Sequence, residues 1–124
     1  TVLPRGAGLA RHLESFNCGT ATRAAVEGFK VAGKTGTAWK HRPGGGYDPT
    51  RKITSFIGMM PADEPAFVCA VVIDEPRPHG EIITVAGGNV AAPAFSKIAA
   101  RAAIHMNLKP TEPVSPPLAS SHPQ

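Results

Sequence analysis

At 124 residues the chain is short, room for one domain at most, and its share of apolar (42%) and charged (18%) residues is that of an ordinary globular protein. The net charge of +4 is modest and dispersed, with Arg5, Arg11, Arg23, Lys40, Arg42 and Lys97 forming no run, and one Trp, one Tyr and five Phe leave no basic stripe interleaved with aromatics, which excludes nucleic-acid binding. No stretch approaches the ~18 apolar residues of a membrane span and no signal peptide is visible, so any anchor is expected in an upstream segment. The start at Thr1 rather than a methionine reads as a processed or excised end.

In chain order, Leu9, Leu13 and Phe16 are spaced i, i+4, i+7 and predict a short amphipathic helix over 8–17, stopped near Gly19. From Glu27 to Lys40 the period changes. Phe29, Val31, Thr35, Thr37 and Trp39 fall on alternate positions, as in a strand. Arg42-Pro43-Gly44-Gly45-Gly46 can sustain neither regular element and is a loop. Ile53 to Met60 and Phe67 to Ile73 are two further strands, joined by Pro61 to Pro65, a link short enough for antiparallel neighbours. The third strand is apolar throughout, which predicts cover on both faces, with Cys69 acting as a small core hydrophobe. Adjacent Asp74 and Glu75 point to opposite faces and read as strand-end solvation rather than a catalytic pair. After a loop ending at Gly87-Gly88, Asn89 is a candidate cap for a helix with Pro93 in its first turn and Phe95, Ile98, Ala99, Ala102 and Met106 on one face. Lys109 to Gln124, rich in Pro and Ser, predicts a disordered tail, so 1–108 is the folded part. The order helix, three-stranded antiparallel meander, helix is an α+β arrangement with few elements for an independent core.

The chemistry-bearing segment is Val31-Ala-Gly-Lys34-Thr35-Gly36-Thr37-Ala38. Gly28 to Thr35 also satisfies the G-x-x-x-x-G-K-[ST] spelling of a P-loop, and Val71 to Glu75 mimics its acidic partner strand. A P-loop cradles phosphate at the start of a helix opening on the Lys-Thr pair, but Gly36, Thr37 and then Pro43 to Gly46 follow. Its parallel strands also need long crossovers, for which Pro61 to Pro65 is too short. The nucleotide reading is therefore a remote alternative.

Lys34-Thr35-Gly36 is also the K-T-G triplet of penicillin-recognising enzymes. It is followed in order by Gly45-Gly46-Tyr47, Ser55-Phe-Ile-Gly58, Val72-Ile-Asp-Glu-Pro76, Gly87-Gly88 and Ala91-Ala-Pro-Ala-Phe-Ser-Lys-Ile98. Over residues 19–108 this series resembles the C-terminal third of the transpeptidase domain of class B penicillin-binding proteins, nearest the division-type peptidoglycan synthases.

That resemblance implies the C-terminal portion of a β-lactamase/transpeptidase-like α+β fold, its meander belonging to a five-stranded sheet. It implies a D,D-transpeptidase that cross-links stem peptides through an acyl-serine, is acylated by β-lactams and needs no cofactor. Lys34 would meet the substrate carboxylate as a compact positive charge. Thr35 and Thr37 would turn hydroxyls to the cleft, Gly36 would let the peptide backbone approach, and the Thr37 N–H would serve the oxyanion hole. The implied partners are stem peptide on its lipid-linked precursor, β-lactams, division-machinery proteins and the upstream part of the same domain. The implied place is the outer face of the bacterial cytoplasmic membrane.

Departures from the family pattern matter as much. No S-x-x-K occurs, so the nucleophile is absent from this chain. Ser15-Phe16-Asn17 spells S-x-N but lies too near Lys34 and on the wrong element. Val85-Ala86 stand where two tyrosines are common. A penicillin-recognising sensor or scaffold without turnover is the alternative to an enzyme. The five histidines show no metal-ligand spacing, and Trp39 and Tyr47 read as rim packing.

Overall fold

The computed structural model describes residues 22–80 and 84–113, so the helix expected over 8–17, Cys18 and Ser15 to Asn17 lie outside the described residues. A 3-10 turn, Thr22–Ala24, is followed by β1 (Ala32–His41), β2 (Tyr47–Met60), β3 (Phe67–Asp74) and α1 (Ala91–His105). The strands form an antiparallel meander in the order β1-β2-β3.

The hairpin β1–β2 forms because both segments alternate and because the intervening loop has the residues its backbone needs. Gly44, Gly45 and Gly46 adopt φ of 91, 115 and 77°, closed off by a 2.9 Å bond from the Arg42 N–H to the Gly46 carbonyl. β2 begins at Tyr47 rather than at Ile53. Trp39 pairs with Lys52 but Lys40 pairs with Asp48, so Pro49 to Arg51 bulge out and the hairpin resumes beyond them. Alternation lost across that bulge hid the strand's first half. β1 in turn starts later than Glu27, because Gly28 turns the chain with φ 84° and Val26 bridges to Phe29.

The core lies between one face of the sheet and α1. Thr54, Phe56, Gly58 and Met60 of β2 are buried, and Phe67, Cys69, Val71 and Ile73 of β3 pack beside them. Opposite sit Ala91, Ala92, Phe95, Ala99 and Ala103 of α1. Alanines bring the helix close, and the Phe56 and Phe95 rings meet at 4.8 Å and 54°. Gly58 completes the fit, since a Cβ there would lie 2.7 Å from both rings. The buried helix face is narrower than the expected one: Ile98 and Met106 are 48% and 45% exposed, because the alanine stripe beside Phe95, not the large side chains, meets the sheet.

Two further expectations are corrected. β3 is not covered on both faces: Val68 and Val72 are each 64% exposed, because α1 covers only the face carrying Val71. Asn89 does not cap α1. The first residue outside the helix is Val90, without a side-chain cap, while the Asn89 amide donates to the Thr84 carbonyl. The N–H groups of Ala91 and Ala92 donate instead to the Gly87 carbonyl. Within the segment expected as a tail, Thr111 and Glu112 donate to the Gly28 carbonyl, and residues 114–124 lie outside the described residues. Cys69 is a free thiol packed against the core.

Phe95 is the largest side chain α1 places in the core. Phe95→Ala is expected to cost ~3–5 kcal/mol of stability in denaturant unfolding; a loss below ~1 kcal/mol would mean that the helix is not held by this seam.

Candidate functional site

Because the sheet order places β1 outermost among the described strands, one side of Lys34 to Thr37 pairs with β2 and the other faces away from the sheet. Strand alternation splits the motif between the two faces. Thr35 opposes buried Phe56 and Thr37 opposes buried Thr54, so both threonines are on the α1 side. Lys34 opposes Ile57 and Gly36 opposes Ser55, on the uncovered side with Val68 and Val72.

Each small residue of the motif has a packing reason. A Cβ on Gly33 would lie 2.5 Å from the Ile57 carbonyl oxygen and 2.6 Å from the Phe56 ring. At Gly36 it would fall 2.5 Å from the Ser55 hydroxyl, which lies below the glycine on the lysine's face. Lys34 is exposed and its ammonium donates to the Thr35 carbonyl at 3.0 Å. The Thr37 hydroxyl accepts a 3.1 Å hydrogen bond from the Gly87 N–H. The Thr37 hydroxyl is thus engaged by the protein's own backbone as an acceptor and keeps its proton for donation.

The P-loop alternative fails on this geometry. Thr35 lies inside β1, no helix begins there, and Gly28 accepts from Thr111 and Glu112 instead of opening a phosphate cradle. Among the described residues no group of His, Cys, Asp and Glu is arranged to hold a metal ion, and no helix is long and apolar enough to cross a membrane. Tyr47 packs on His41 at 4.5 Å beside the hairpin loop, and Trp39 is 52% exposed. Reasoning from sequence assigned no role to Ser55 or Gly87. Gly87-Gly88 stood out as a block, but its approach to Gly36 is tertiary and leaves no local pattern.

Comparison with known proteins identifies the family and the fold. The family model of the penicillin binding protein transpeptidase domain matches residues 11–100. The probable peptidoglycan D,D-transpeptidase PenA of Neisseria meningitidis is 43% identical over 97 residues, covering 78% of this chain and 16% of its own length. The transpeptidase domain of Burkholderia pseudomallei penicillin-binding protein 3 superposes with a TM-score of 0.71 at 41% identity, over 83% of this chain and 30% of that one. Penicillin-binding protein 3 of Mycobacterium tuberculosis, solved with ampicillin, does so with 0.64 at 31% identity, over 85% and 23%. The chain thus spans about a sixth of the PenA relative, at 16%.

Downstream of the motif an ion cluster fixes the end of β1. The Lys40 ammonium lies 2.6 Å from Asp74 and 2.8 Å from Glu75, and Glu75 also receives Arg51 at 2.7 Å. This replaces the simple solvation expected for the two acids. Glu75 has φ of 47°, which breaks the strand alternation and brings both carboxylates to one lysine. Hydrogen bonds from Lys40 and then Arg51 hold the Glu75 carboxyl below the usual carboxylate range, while Asp74 and then Glu75 raise Lys40 above the usual lysine value. With the folded carboxyl depressed, its contribution to stability is complete above the ordinary carboxylate value and is lost as pH falls through the depressed one. With the lysine raised, its part is complete below the ordinary lysine value and is lost as pH rises through the raised one. Glu75→Gln is accordingly expected to lower the thermal midpoint at neutral pH, with the gap from wild type closing on acidification through the carboxylate range. A gap constant with pH would contradict this.

Proposed function

Because the chain belongs to the penicillin-binding protein transpeptidase domain family, we propose that it is the K-T-G wall of a peptidoglycan D,D-transpeptidase whose serine nucleophile is supplied by upstream polypeptide. The observation carrying this reading is the position of Lys34 to Thr37: extended, outermost in the sheet, with an exposed ammonium on one face and two threonines on the other. A peptide ending in D-Ala-D-Ala adds along the outer edge of β1 as an extra strand. At that edge the Thr37 hydroxyl receives the terminal carboxylate from one face while the Lys34 side chain reaches round with its charge from the other, and Gly36 keeps the edge low enough for the peptide backbone to approach.

The reaction then needs a serine from S-x-x-K. Its oxygen, losing its proton to the neighbouring base, attacks the carbonyl between the two D-Ala residues, and the Thr37 N–H stabilises the resulting oxyanion. Collapse expels the terminal D-Ala as an amine and leaves an acyl-serine, which the amino group of a second stem peptide resolves to form the crosslink. A β-lactam enters the same path, but its ring nitrogen stays tethered after the C–N bond opens. The substrate is stem peptide carried on a lipid-linked precursor, the setting is the outer face of the bacterial cytoplasmic membrane behind an upstream anchor, and the companions are division-machinery proteins.

A fluorescent penicillin separates the possibilities. The 124-residue chain alone is expected to remain unlabelled, whereas the complete domain carrying it together with S-x-x-K is labelled on that serine. In the complete domain Lys34→Ala is expected to slow acylation by roughly 10- to 100-fold through loss of a charge-assisted bond. Covalent labelling of the chain alone, or an unlabelled complete domain, would overturn the proposal.

A further inference from the structure

Gly87 joins three parts of the structure that are distant in sequence. Its carbonyl accepts the Ala91 and Ala92 N–H groups at the start of α1, at 3.0 and 2.9 Å. Its N–H donates to the Thr37 hydroxyl at 3.1 Å. Its Cα rests on the paired backbones of β1 and β2: a Cβ there would lie 2.6 Å from the Ser55 carbonyl oxygen, 2.7 Å from that of Gly36 and 3.0 Å from the Gly36 nitrogen. All three are backbone atoms of paired strands and cannot swing aside as a side-chain tip would. The glycine is required for space and not for conformation, since its φ is not among the positive ones. Around it the turn is held by Lys52, which donates to the Val85 carbonyl at 3.4 Å, and by Asn89, which donates to that of Thr84 at 3.0 Å.

We propose that Gly87 is a positioning residue for the K-T-G strand, coupling the start of α1 to Thr37 and directing the Thr37 hydroxyl proton toward the substrate carboxylate. The proposal rests on the transpeptidase reading above. With a lone pair of its oxygen occupied by the Gly87 N–H, the Thr37 hydroxyl is left as a donor, and a negative carboxylate is the ligand that rewards a donor. The same contact presses the backbone at Gly36 onto β2, so the neighbouring Thr37 N–H is held where the oxyanion forms. Gly87 touches neither substrate nor reacting atoms and acts wholly through Thr37 and Gly36.

The test is a double-mutant cycle on penicillin acylation in the complete domain, with amide hydrogen exchange at Gly87 as a readout independent of acylation. Gly87→Ala is expected to lower the acylation step by ~10²-fold, the usual consequence of misplacing a site by ~1 Å. In a Thr37→Val background the same change is expected to cost several-fold less than in the wild type, the remaining loss coming from the added Cβ against the Gly36 and Ser55 backbones. Exchange at Gly87 is expected to accelerate in Thr37→Val and to stay slow in Thr37→Ser, which retains the acceptor. Fully additive losses, or exchange unchanged in Thr37→Val, would overturn the proposal. Should Gly87→Ala fail to fold, the Thr37→Val and Thr37→Ser pair decides by exchange alone. Labelling of the wild-type domain is the separate check on the transpeptidase reading.

Discussion

β1 is gripped from one side and along its length, and the candidate site is what that one-sided grip leaves over. Its pairing with β2 sets the register, and a slip of one residue would exchange Lys34 with Thr35 between the faces. Three contacts oppose such a slip. Gly33 admits the Phe56 ring and the Ile57 carbonyl, Gly87 bonds Thr37, and Lys40 is fixed between Asp74 and Glu75. Between these anchors the outer side of the strand pairs with no other strand among the described residues.

The two faces of the sheet have different fates. The α1 side is closed by Phe56, Phe95 and the alanine stripe, a packed seam that gives the threonines a rigid backing. The other side carries Lys34 and Ser55 together with exposed Ile57, Val68 and Val72. The apolar strip of Ile57, Val68 and Val72 is costly to leave in water. On the proposed reading this is the face that the nucleophile-bearing remainder of the domain covers, so the same burial that completes the core encloses Lys34 in the cleft.

Much of this was legible in the residues, for physical reasons that can be named. Alternation marked β1 from Thr35 to Trp39, a continuous apolar run marked β3 from Phe67 to Ile73, one residue short of its end at Asp74, and the run of glycines at 44–46 marked the hairpin loop. The ordered blocks around Lys34-Thr35-Gly36 marked the family, and the family model covers 11–100. What escaped depends on contacts without a sequence period. The bulge at Pro49 to Arg51 concealed the first half of β2. The uniformly apolar β3 announced two covered faces where α1 covers one, since composition does not say which chain provides the cover. Asn89 resembled a cap by type and position, yet its amide turns back to Thr84 while the Gly87 carbonyl receives the helix. Gly87 itself read as the end of a loop and as part of a family block with no role of its own, because the reason for a glycine there is the backbone of residues 36 and 55.

The central claim is that the outer edge of β1 binds the acyl group. A crystal structure of the complete domain acylated by a penicillin tests it directly. The account predicts the acyl carbonyl oxygen ~2.7–3.1 Å from the Thr37 nitrogen, with the carboxylate beside Lys34 and the Thr37 hydroxyl. An acyl group lying away from β1, or that edge occupied by another strand of the protein, would contradict it.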